Sequence, residues 1–427
     1  MLRQSILLLT IFLTTLFSTN AQAKNIKPTL LVYGNSVEAF AAAIQASRSN
    51  VPTMWVINEQ HYIADFDKES TTIYTHDILD GGIWKELSGL LKNSKSIDST
   101  AFGIKCAVSK NEIFKKIDSL VKAEKNITVV FNTAVKKVVL SDNDVEVQLS
   151  NKQKLKFRAA LDASINQDIR NMLGENNNLI EKPGRISAIY DFDLNAQRTV
   201  VTYGNTEDQG VFGYSLSQIL ARRKSNLFSL DALVQVPLTD DNLSLRMNLG
   251  QSLGAVAAYC SFFKTTGDKI DVRKLQMELI THKSRLLPLV DVKSDDTNFD
   301  ALQKIYLTGI LKPIQTNAGY VFVGNDSVSI DEVKPIFHQL YSRAQLWFMD
   351  NKSTHFTVGE LISLVKLVGF KSDEIDKEIK GKWNSVFNFK EAYDLNRKIT
   401  RYEFAVLVNA YADPFVKAVN QDGKILR

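Results

Sequence analysis

The sequence predicts a mixed α/β fold followed by a C-terminal α-helical domain, on two observations. Residues 29–57 place an apolar run before Gly34, then a helix rich in small residues, then a second apolar run. Strand, tight turn, helix and strand in this order form a βαβ unit, whose two strands pair in parallel. After residue 296 the pattern changes to helical segments divided by short separators, which indicates a separate helical domain.

Length and composition restrict the class of protein. The 427 residues exceed what one core usually spans, so we expect two or three domains. The apolar share of 44% is that of a globular protein, and 23% charged residues is also ordinary. The net charge is +5, but Lys and Arg are scattered among acidic residues and form no basic stripe. We therefore do not expect a nucleic-acid-binding surface. The histidines and cysteines show no metal-ligand spacing, and we expect no metal.

The first 23 residues have the pattern of a secretory signal peptide. Arg3 gives a positive start, residues 6–17 form an uncharged core too short to span a bilayer, and Ala21–Ala23 matches a small-x-small cleavage site. A membrane anchor is the alternative, which the short core disfavours. We therefore expect an exported protein, periplasmic or extracellular, with no membrane span in the mature chain.

The candidate reactive side chains are few. Cys106 and Cys260 can pair in an oxidising compartment, but their apolar neighbours favour two buried free thiols. His61 and His76 lie in a segment where a substrate pocket can form. Either histidine can act as a catalytic base, and the alternative is a solvated surface residue. Cys106 is a more remote candidate, and the sequence assigns no catalytic residue.

The elements after the βαβ unit are predicted in order from periodicity. Residues 61–103 are expected to be irregular apart from a helix at 84–91. Ser109 and Glu112 form a capping-box pattern for a helix that ends near Ala123. Alternating apolar residues then predict a small antiparallel meander, at 134–140, 145–149 and 155–157.

The second half of the chain continues with strands and then helices. Residues 159–164 predict a short buried strand end. Alternation predicts a separate antiparallel sheet over a pocket, with strands at 186–192, 198–203 and 232–236. Helices are expected at 245–263, 275–287, 302–311, 330–349, 358–368 and 400–411. Turns at Asp296 and Asn396 each precede an apolar helix, which suggests a weak duplicated unit.

The turn after the first strand is the candidate functional site. A dinucleotide fingerprint needs three small residues there, for the turn, the approach of the diphosphate and the packing of the helix on the sheet. Those places fall to Gly34, Ser36 and Ala39. Glu38 opposes this interpretation, because a carboxylate in the first turn favours the helix dipole but repels a diphosphate.

The second strand gives a weaker signal. An acidic residue is expected at its end to bind the ribose hydroxyls, but Ile57 occupies that place. Glu59 lies two residues after Ile57, and side chains two residues apart point to the same face of a strand. Glu59 is therefore the candidate substitute for the acidic residue. An ordinary exposed turn residue is the alternative for Glu59.

The order of these motifs resembles the FAD-dependent oxidoreductases of the glutathione-reductase-like type, above all an exported bacterial branch that opens with Tyr-Gly-Gly-x-x-x-Gly-x-x-Ala-Ala. That family ends its meander with Asp-Ala-Thr-Gly, where residues 162–165 read Asp-Ala-Ser-Ile. Its last flavin-contacting helix begins Leu-Gly-Gln-Ala-Ala-Gly-x-Ala-Ala, a pattern that residues 249–258 largely keep. A buried helix packed through small residues is the alternative there. Residues 60–79, where the family has a glycine-rich segment, contain no glycine.

The resemblance implies a Rossmann-like FAD/NAD(P)-binding domain, an antiparallel substrate or cover sheet and a C-terminal helical domain, at residues 24–184 with 246–295, 185–245 and 296–427. FAD is the implied cofactor. The helices after Tyr33 and Leu249 are then expected to open on one shared cleft. The implied cofactor contacts are Gly34, Asn35, Ser36, Ala39, Glu59, Ala163, Ser164, Gly250, Gln251 and Gly254.

Three functions are compatible with these patterns. The first is hydride transfer from a small organic substrate, such as a carbohydrate derivative, to FAD. The second is a non-catalytic binding or scaffold protein on a flavoprotein fold that has lost FAD, in effect a pseudoenzyme. Its helical tail then docks a protein or cell-envelope partner, or acts as a lid. The third is an NAD-dependent dehydrogenase, which export disfavours because free nicotinamide cofactors are scarce outside the cytoplasm.

Overall fold

The computed structural model describes residues 27–75, 78–91, 96–100, 103–141, 143–173, 193–206, 210–220, 225–230, 238–317 and 319–426. The strands are β1 (Leu30–Tyr33), β2 (Thr53–Val56), β3 (Ser70–Thr75), β4 (Ser96–Thr100), β5 (Gly103–Ser109), β6 (Ile127–Val130), β7 (Val135–Leu140), β8 (Val145–Leu149), β9 (Lys154–Phe157), β10 (Ala159–Asp162), β11 (Val200–Thr206), β12 (Gly210–Ser215), β13 (Leu227–Ser229), β14 (Ile314–Thr316) and β15 (Gly319–Val321). The helices are α1 (Val37–Arg48), α2 (Gly82–Leu91), α3 (Lys110–Ala123), α4 (Asp168–Leu173), α5 (Leu194–Thr199), α6 (Leu216–Leu220), α7 (Leu243–Phe263), α8 (Val272–Thr281), α9 (Phe299–Thr308), α10 (Ile330–Leu340), α11 (Ala344–Asp350), α12 (Val358–Gly369), α13 (Glu374–Lys382) and α14 (Arg401–Tyr411).

A parallel sheet in the order β13-β10-β1-β2-β6 forms the centre of the fold. Its strands are short and apolar, and β1, β2 and β10 are buried along their whole length. Successive side chains of a strand point to opposite faces. Leu30 and Val32 therefore pack against the helices, while Leu31 and Tyr33 pack against the β7–β9 meander. The predicted mixed α/β, Rossmann-like fold class is confirmed.

Helices α1 and α7 cross in backbone contact on the helical face of this sheet. A Cβ placed on Gly250 would lie 2.5 Å from the Glu38 carbonyl oxygen, and one placed on Gly254 would lie 2.6 Å from the Ala42 Cα. Such distances leave no room for a side chain, so both glycines serve the close approach of the helices. The alternative interpretation of residues 249–258, a buried helix packed through small residues, is confirmed. The prediction that Gly250 opens a helix is wrong, because α7 begins seven residues earlier, at Leu243.

Several of the other element predictions are confirmed. The meander forms as β7, β8 and β9. Ser109 caps α3 and its Oγ accepts a hydrogen bond from the Glu112 N–H. Cys106 and Cys260 are both buried free thiols, and burial raises the pKa of Cys260 to about 12.

Other element predictions need correction. Residues 61–103 are not irregular, because β3 and β4 both pair with β5 in an antiparallel sheet. The Ser- and Thr-rich sequence of β3 gives little apolar alternation, which explains the error. The predicted strand at 198–203 begins only after α5 and pairs as β11 with β12. The predicted strands at 186–192 and 232–236 lie outside the described residues.

The C-terminal helices differ from prediction in detail. The segment 330–349 forms two helices, α10 and α11, because the backbone of Tyr341 is extended and ends the first of them. The helix predicted at 275–287 is α8, which ends at Thr281. Helix α13 is an addition that the sequence pattern did not predict. The core of the sheet domain continues without interruption into these helices.

One sequence pattern recurs three times in the helical region. An apolar residue, a Ser or Thr, two further residues and a Glu precede or begin α10, α12 and α14, at residues 328–332, 356–360 and 399–403. The three N-terminal segments pair with each other through the bridges Ser327–Thr400, Ser329–His355 and Thr357–Lys398. The internal repeat is therefore threefold, and the segment at Asp296, predicted as half of a duplicated unit, is not one of its members.

Candidate functional site

The turn after β1 lies against the turn after β10. Gly34 has a φ of +127°, and a Cβ placed on it would lie 2.6 Å from the backbone of Ala163 and Ser164, so only glycine fits. Ser36 caps α1: its Oγ accepts from the Ala39 N–H at 3.2 Å and donates to the Ala163 carbonyl at 2.8 Å. The structure thus brings together six of the ten predicted contacts at the carboxyl ends of adjacent parallel strands, where α/β proteins bind ligands: Gly34, Asn35, Ser36, Ala39, Ala163 and Ser164.

The motif that follows β10 satisfies its own polar groups. Asp162 is fully buried and accepts from the Ser164 hydroxyl at 2.6 Å and from the Arg170 N–H at 3.0 Å. The Ser164 Oγ in turn accepts from the Asp168 N–H at 2.8 Å. Burial raises the pKa of Asp162, against the opposing effect of these hydrogen bonds. The Ser164 side chain therefore binds the first amide of α4 and is not directed at a ligand.

Two carboxylates and one guanidinium fill the space at the N-terminus of α1. The Val37 N–H donates to Asp65 Oδ2 at 3.1 Å. Arg246 binds Asp65 with Nη1 to Oδ1 at 2.5 Å, and Glu38 with Nη2 to Oε2 at 3.0 Å. The side chains of Glu38 and Arg246 are 0% and 1% exposed, and that of Asp65 is 9% exposed. We call these three residues the Glu38–Asp65–Arg246 cluster.

The chain before Asp65 fixes the direction of its carboxylate. Asp65 lies in a single 3₁₀ turn, Ala64–Phe66. The Ala64 N–H donates to the Asn35 carbonyl at 2.7 Å, which ties this turn to the loop before α1. Ile63 and Phe66 are fully buried on either side. Asp65 is thereby held opposite the positive end of the α1 dipole, where a negative charge is stabilised.

Arg246 is the counter-ion that makes this burial tolerable. Its planar fork matches carboxylates in a bidentate way, and a buried charge without a partner is strongly unfavourable. Burial alone would lower the pKa of Arg246, but Glu38 and Asp65 outweigh it and the pKa is raised. Sequence reasoning identified Glu38 but missed both partners. A signal existed, since Arg246 is the only charged residue among the 21 of α7.

Of the four remaining predicted contacts, Gly250, Gln251 and Gly254 serve the packing of the protein. Gly250 and Gly254 lie against α1, as described above. Gln251 donates to Gln45 Oε1 at 2.8 Å and accepts from the first turn of α2 at 3.1 Å. Glu59 is exposed in the turn after β2, which agrees with the alternative of an ordinary exposed turn residue.

The cluster disfavours a dinucleotide at this turn. Its diphosphate would need the amides at the N-terminus of α1, but the Val37 amide already binds Asp65. Two carboxylates at that position repel a diphosphate. The Gly34 carbonyl in the adjoining turn accepts from Trp55 Nε1 at 2.8 Å. The assignment of the ten residues as cofactor contacts therefore stays a prediction, and the cluster opposes it.

Of the candidate reactive side chains that the structure describes, none joins this site. His61 is exposed and stacks on Phe114 at 5.8 Å between ring centroids, and His76 lies outside the described residues. Cys106 is buried in the apolar core. Within the described ranges, no group of three or more His, Cys, Asp or Glu residues is placed to hold a metal ion. In the same ranges, no helix has the length and apolar character needed to cross a membrane.

Comparison with known proteins gives only distant likenesses. No family model matches the chain, and no curated protein is similar to it. Among solved structures, FqzB has a TM-score of 0.26 at 12% identity, and the match covers 32% of this chain and 37% of FqzB. THI4 of Thermovibrio ammonificans has a TM-score of 0.36 at 11% identity, over 60% of this chain and 96% of that one.

A third structure is the flavin-dependent monooxygenase PieE in complex with FAD and substrate. It has a TM-score of 0.26 at 9% identity, over 33% of this chain and 31% of that one. Likenesses at this level define neither a family nor a ligand for this chain. The class of fold rests on the parallel sheet, the βαβ unit and the Gly34 turn.

Proposed function

We propose that this chain is a non-catalytic binding or scaffold protein, built on a Rossmann-like flavoprotein fold that no longer binds FAD. One observation carries the proposal: the Glu38–Asp65–Arg246 cluster supplies, from within the chain, the anion that the N-terminus of α1 would otherwise take from a diphosphate. The cluster is buried and its members satisfy one another, so it is a permanent part of the core.

The loss of glycines supports the same proposal. Residues 60–79 contain no glycine, and the part of this segment around Asp65 is packed into the core through Ile63 and Phe66. Glycine is the usual residue where a backbone approaches a ligand closely. Space beside the sheet is therefore used for side-chain packing.

Two catalytic functions are the competing candidates. Hydride transfer from a small, carbohydrate-derived substrate to FAD is favoured by the order of motifs and by the convergence of the β1 and β10 turns. An NAD-dependent dehydrogenase needs the same turns. Both require a diphosphate at the N-terminus of α1, so the cluster opposes both.

The binding role is given to the helical region, residues 296–427, with a protein or cell-envelope component as partner. Phe370 on its surface is 73% exposed, and the Arg343 guanidinium lies 4.2 Å from the centre of its ring. Phe and Arg are both enriched at protein–protein interfaces relative to the rest of a protein surface. The proposal places the protein outside the cytoplasm, on the pattern of residues 1–23 alone.

The test is the visible spectrum and the thermal stability of the purified protein, residues 24–427. We expect a colourless protein whose melting temperature does not rise when FAD is added, since a ligand that binds only the native state raises it. A genuine flavoprotein treated in parallel serves as the positive control. A yellow protein that releases flavin on denaturation would overturn the proposal.

A further inference from the structure

We infer that the Asp65 carboxylate is an internal substitute for a phosphate, and that its removal uncovers a phosphate-binding site formed by the N-terminus of α1 and the Arg246 guanidinium. The inference rests on the proposed function and deepens it, because it says what closes the site and what the closed site would bind. The ligand class is an inorganic phosphate or the terminal group of a phosphate ester.

The contacts of Asp65 are those of a bound oxyanion. One carboxylate oxygen accepts a hydrogen bond from the Val37 amide, and both oxygens accept from Arg246, at 2.5 and 3.1 Å. A helix N-terminus together with a forked guanidinium is a donor set that suits phosphate as well as carboxylate. The anion is present in the structure, but it is supplied by the chain itself.

The charges of the cluster explain why an external phosphate is excluded. Glu38 and Asp65 carry two negative charges and Arg246 carries one positive charge, so the cluster has a net charge of −1. A second anion at this position is repelled. Removal of Asp65 leaves Arg246 paired with Glu38 alone, next to the partial positive charge of the helix end. The balance of charge then changes from repulsion to attraction.

The site is also close enough to solvent to exchange an anion. The Asp65 side chain is 9% exposed, whereas those of Glu38 and Arg246 are 0% and 1% exposed. Truncation of Asp65 therefore opens a pocket at the protein surface, with its cation at the inner end.

The experiment compares Asp65→Ala with the wild type and with a matched control, Asp67→Ala. Asp67 lies two residues along the same segment, carries the same charge and pairs on the surface with Lys110. Melting temperature is measured in sodium chloride and in sodium phosphate of equal ionic strength. We expect phosphate to raise the melting temperature of Asp65→Ala by roughly 2 °C relative to chloride, with no phosphate-specific rise in the wild type or in Asp67→Ala.

A second variant and a second anion guard against a folding defect. Asp65→Asn removes the charge but keeps the size of the side chain and an oxygen for the Val37 amide, so it still fills the site and is expected to show no phosphate-specific rise. Sodium formate, a free carboxylate, is expected to stabilise Asp65→Ala as phosphate does. If Asp65→Ala is insoluble, its refolding yield in phosphate against chloride is the readout, and a higher yield in phosphate is expected.

The inference is overturned if Asp65→Ala does not respond to phosphate or formate more than to chloride, or if Asp65→Asn responds as strongly as Asp65→Ala. It is also overturned if Asp67→Ala responds equally. These outcomes leave the proposed function intact, whereas FAD bound to the wild type would remove the proposed function itself.

Discussion

The sheet domain and the helical region use glutamate differently at the start of a helix. In the helical region, Glu360 and Glu403 each close a capping box with a threonine three residues before them. In the sheet domain, Glu38 lies in the first turn of α1 but pairs with Arg246, 208 positions away. The first kind of contact is contained in four consecutive residues. The second exists only once α1 and α7 have packed together.

Under the proposed function, this difference explains how a fold persists while its ligand site closes. The small residues of α1 and α7 still allow the two helices to meet, so the Rossmann-like framework is preserved. The polar groups at the helix end are satisfied by distant residues of the same chain. A motif that retains its small residues is therefore evidence for the packing, and only the long-range partners show whether a ligand can bind.

The largest expected effect comes from the centre of the cluster. Arg246→Met leaves Glu38 and Asp65 buried without a counter-ion, and we expect a loss of about 3–5 kcal/mol in the free energy of unfolding. Urea denaturation measures it. The control is Arg48→Met, since Arg48 pairs with Glu86 and Glu124 nearer the surface and is expected to contribute about 1 kcal/mol or less. Equal losses in the two variants would contradict the role given to Arg246.

The next effect tests the contact between the two helices. Gly250→Ala would place a Cβ 2.5 Å from the backbone oxygen of Glu38, and the helices must separate to admit it. We expect a loss of roughly 2 kcal/mol in the free energy of unfolding. Gly89→Ala is the matched control, because Gly89 lies inside α2 with open space around it. That control is expected to stabilise the protein by about 0.5–1 kcal/mol. An unchanged free energy of unfolding in Gly250→Ala would contradict the close contact between α1 and α7.

The smallest effect separates the members of the threefold repeat. The Thr357 Oγ accepts from the Glu360 N–H at 3.1 Å and caps α12, so Thr357→Ala is expected to lower the free energy of unfolding by about 1 kcal/mol. Ser329 occupies the same place before α10 but makes no capping bond through its side chain. Ser329→Ala is therefore expected to change stability by about 0.5 kcal/mol or less. Thermal or urea unfolding of both variants measures the difference. A larger loss of stability in Ser329→Ala than in Thr357→Ala would contradict the assignment of the side-chain cap to Thr357.

Local patterns predicted much of the fold. The apolar run before Gly34, the small residues after it and the second run correspond to β1, α1 and β2. The Ser109 cap was predicted because a helix start depends on neighbouring residues. By contrast, the antiparallel pairing of β3, β4 and β5 was missed, because polar strands are defined by their partners and not by their own periodicity.

The candidate site was only partly predictable. Gly34 and Ser36 were identified because the turn itself dictates small residues there. Asp65 and Arg246 are separated by 181 positions, and nothing local to either residue indicates that they meet. Periodicity predicted the start of α7 at residue 245, close to its position at Leu243, whereas the family pattern placed a helix opening only after Leu249.

Equilibrium dialysis of the wild-type protein against FAD tests the central claim most directly, with the bound flavin counted per chain. If the Glu38–Asp65–Arg246 cluster fills the place of the diphosphate, the bound amount stays at the level of a protein that does not bind flavin, at every FAD concentration tried. Saturable binding that approaches one FAD per chain would contradict the account.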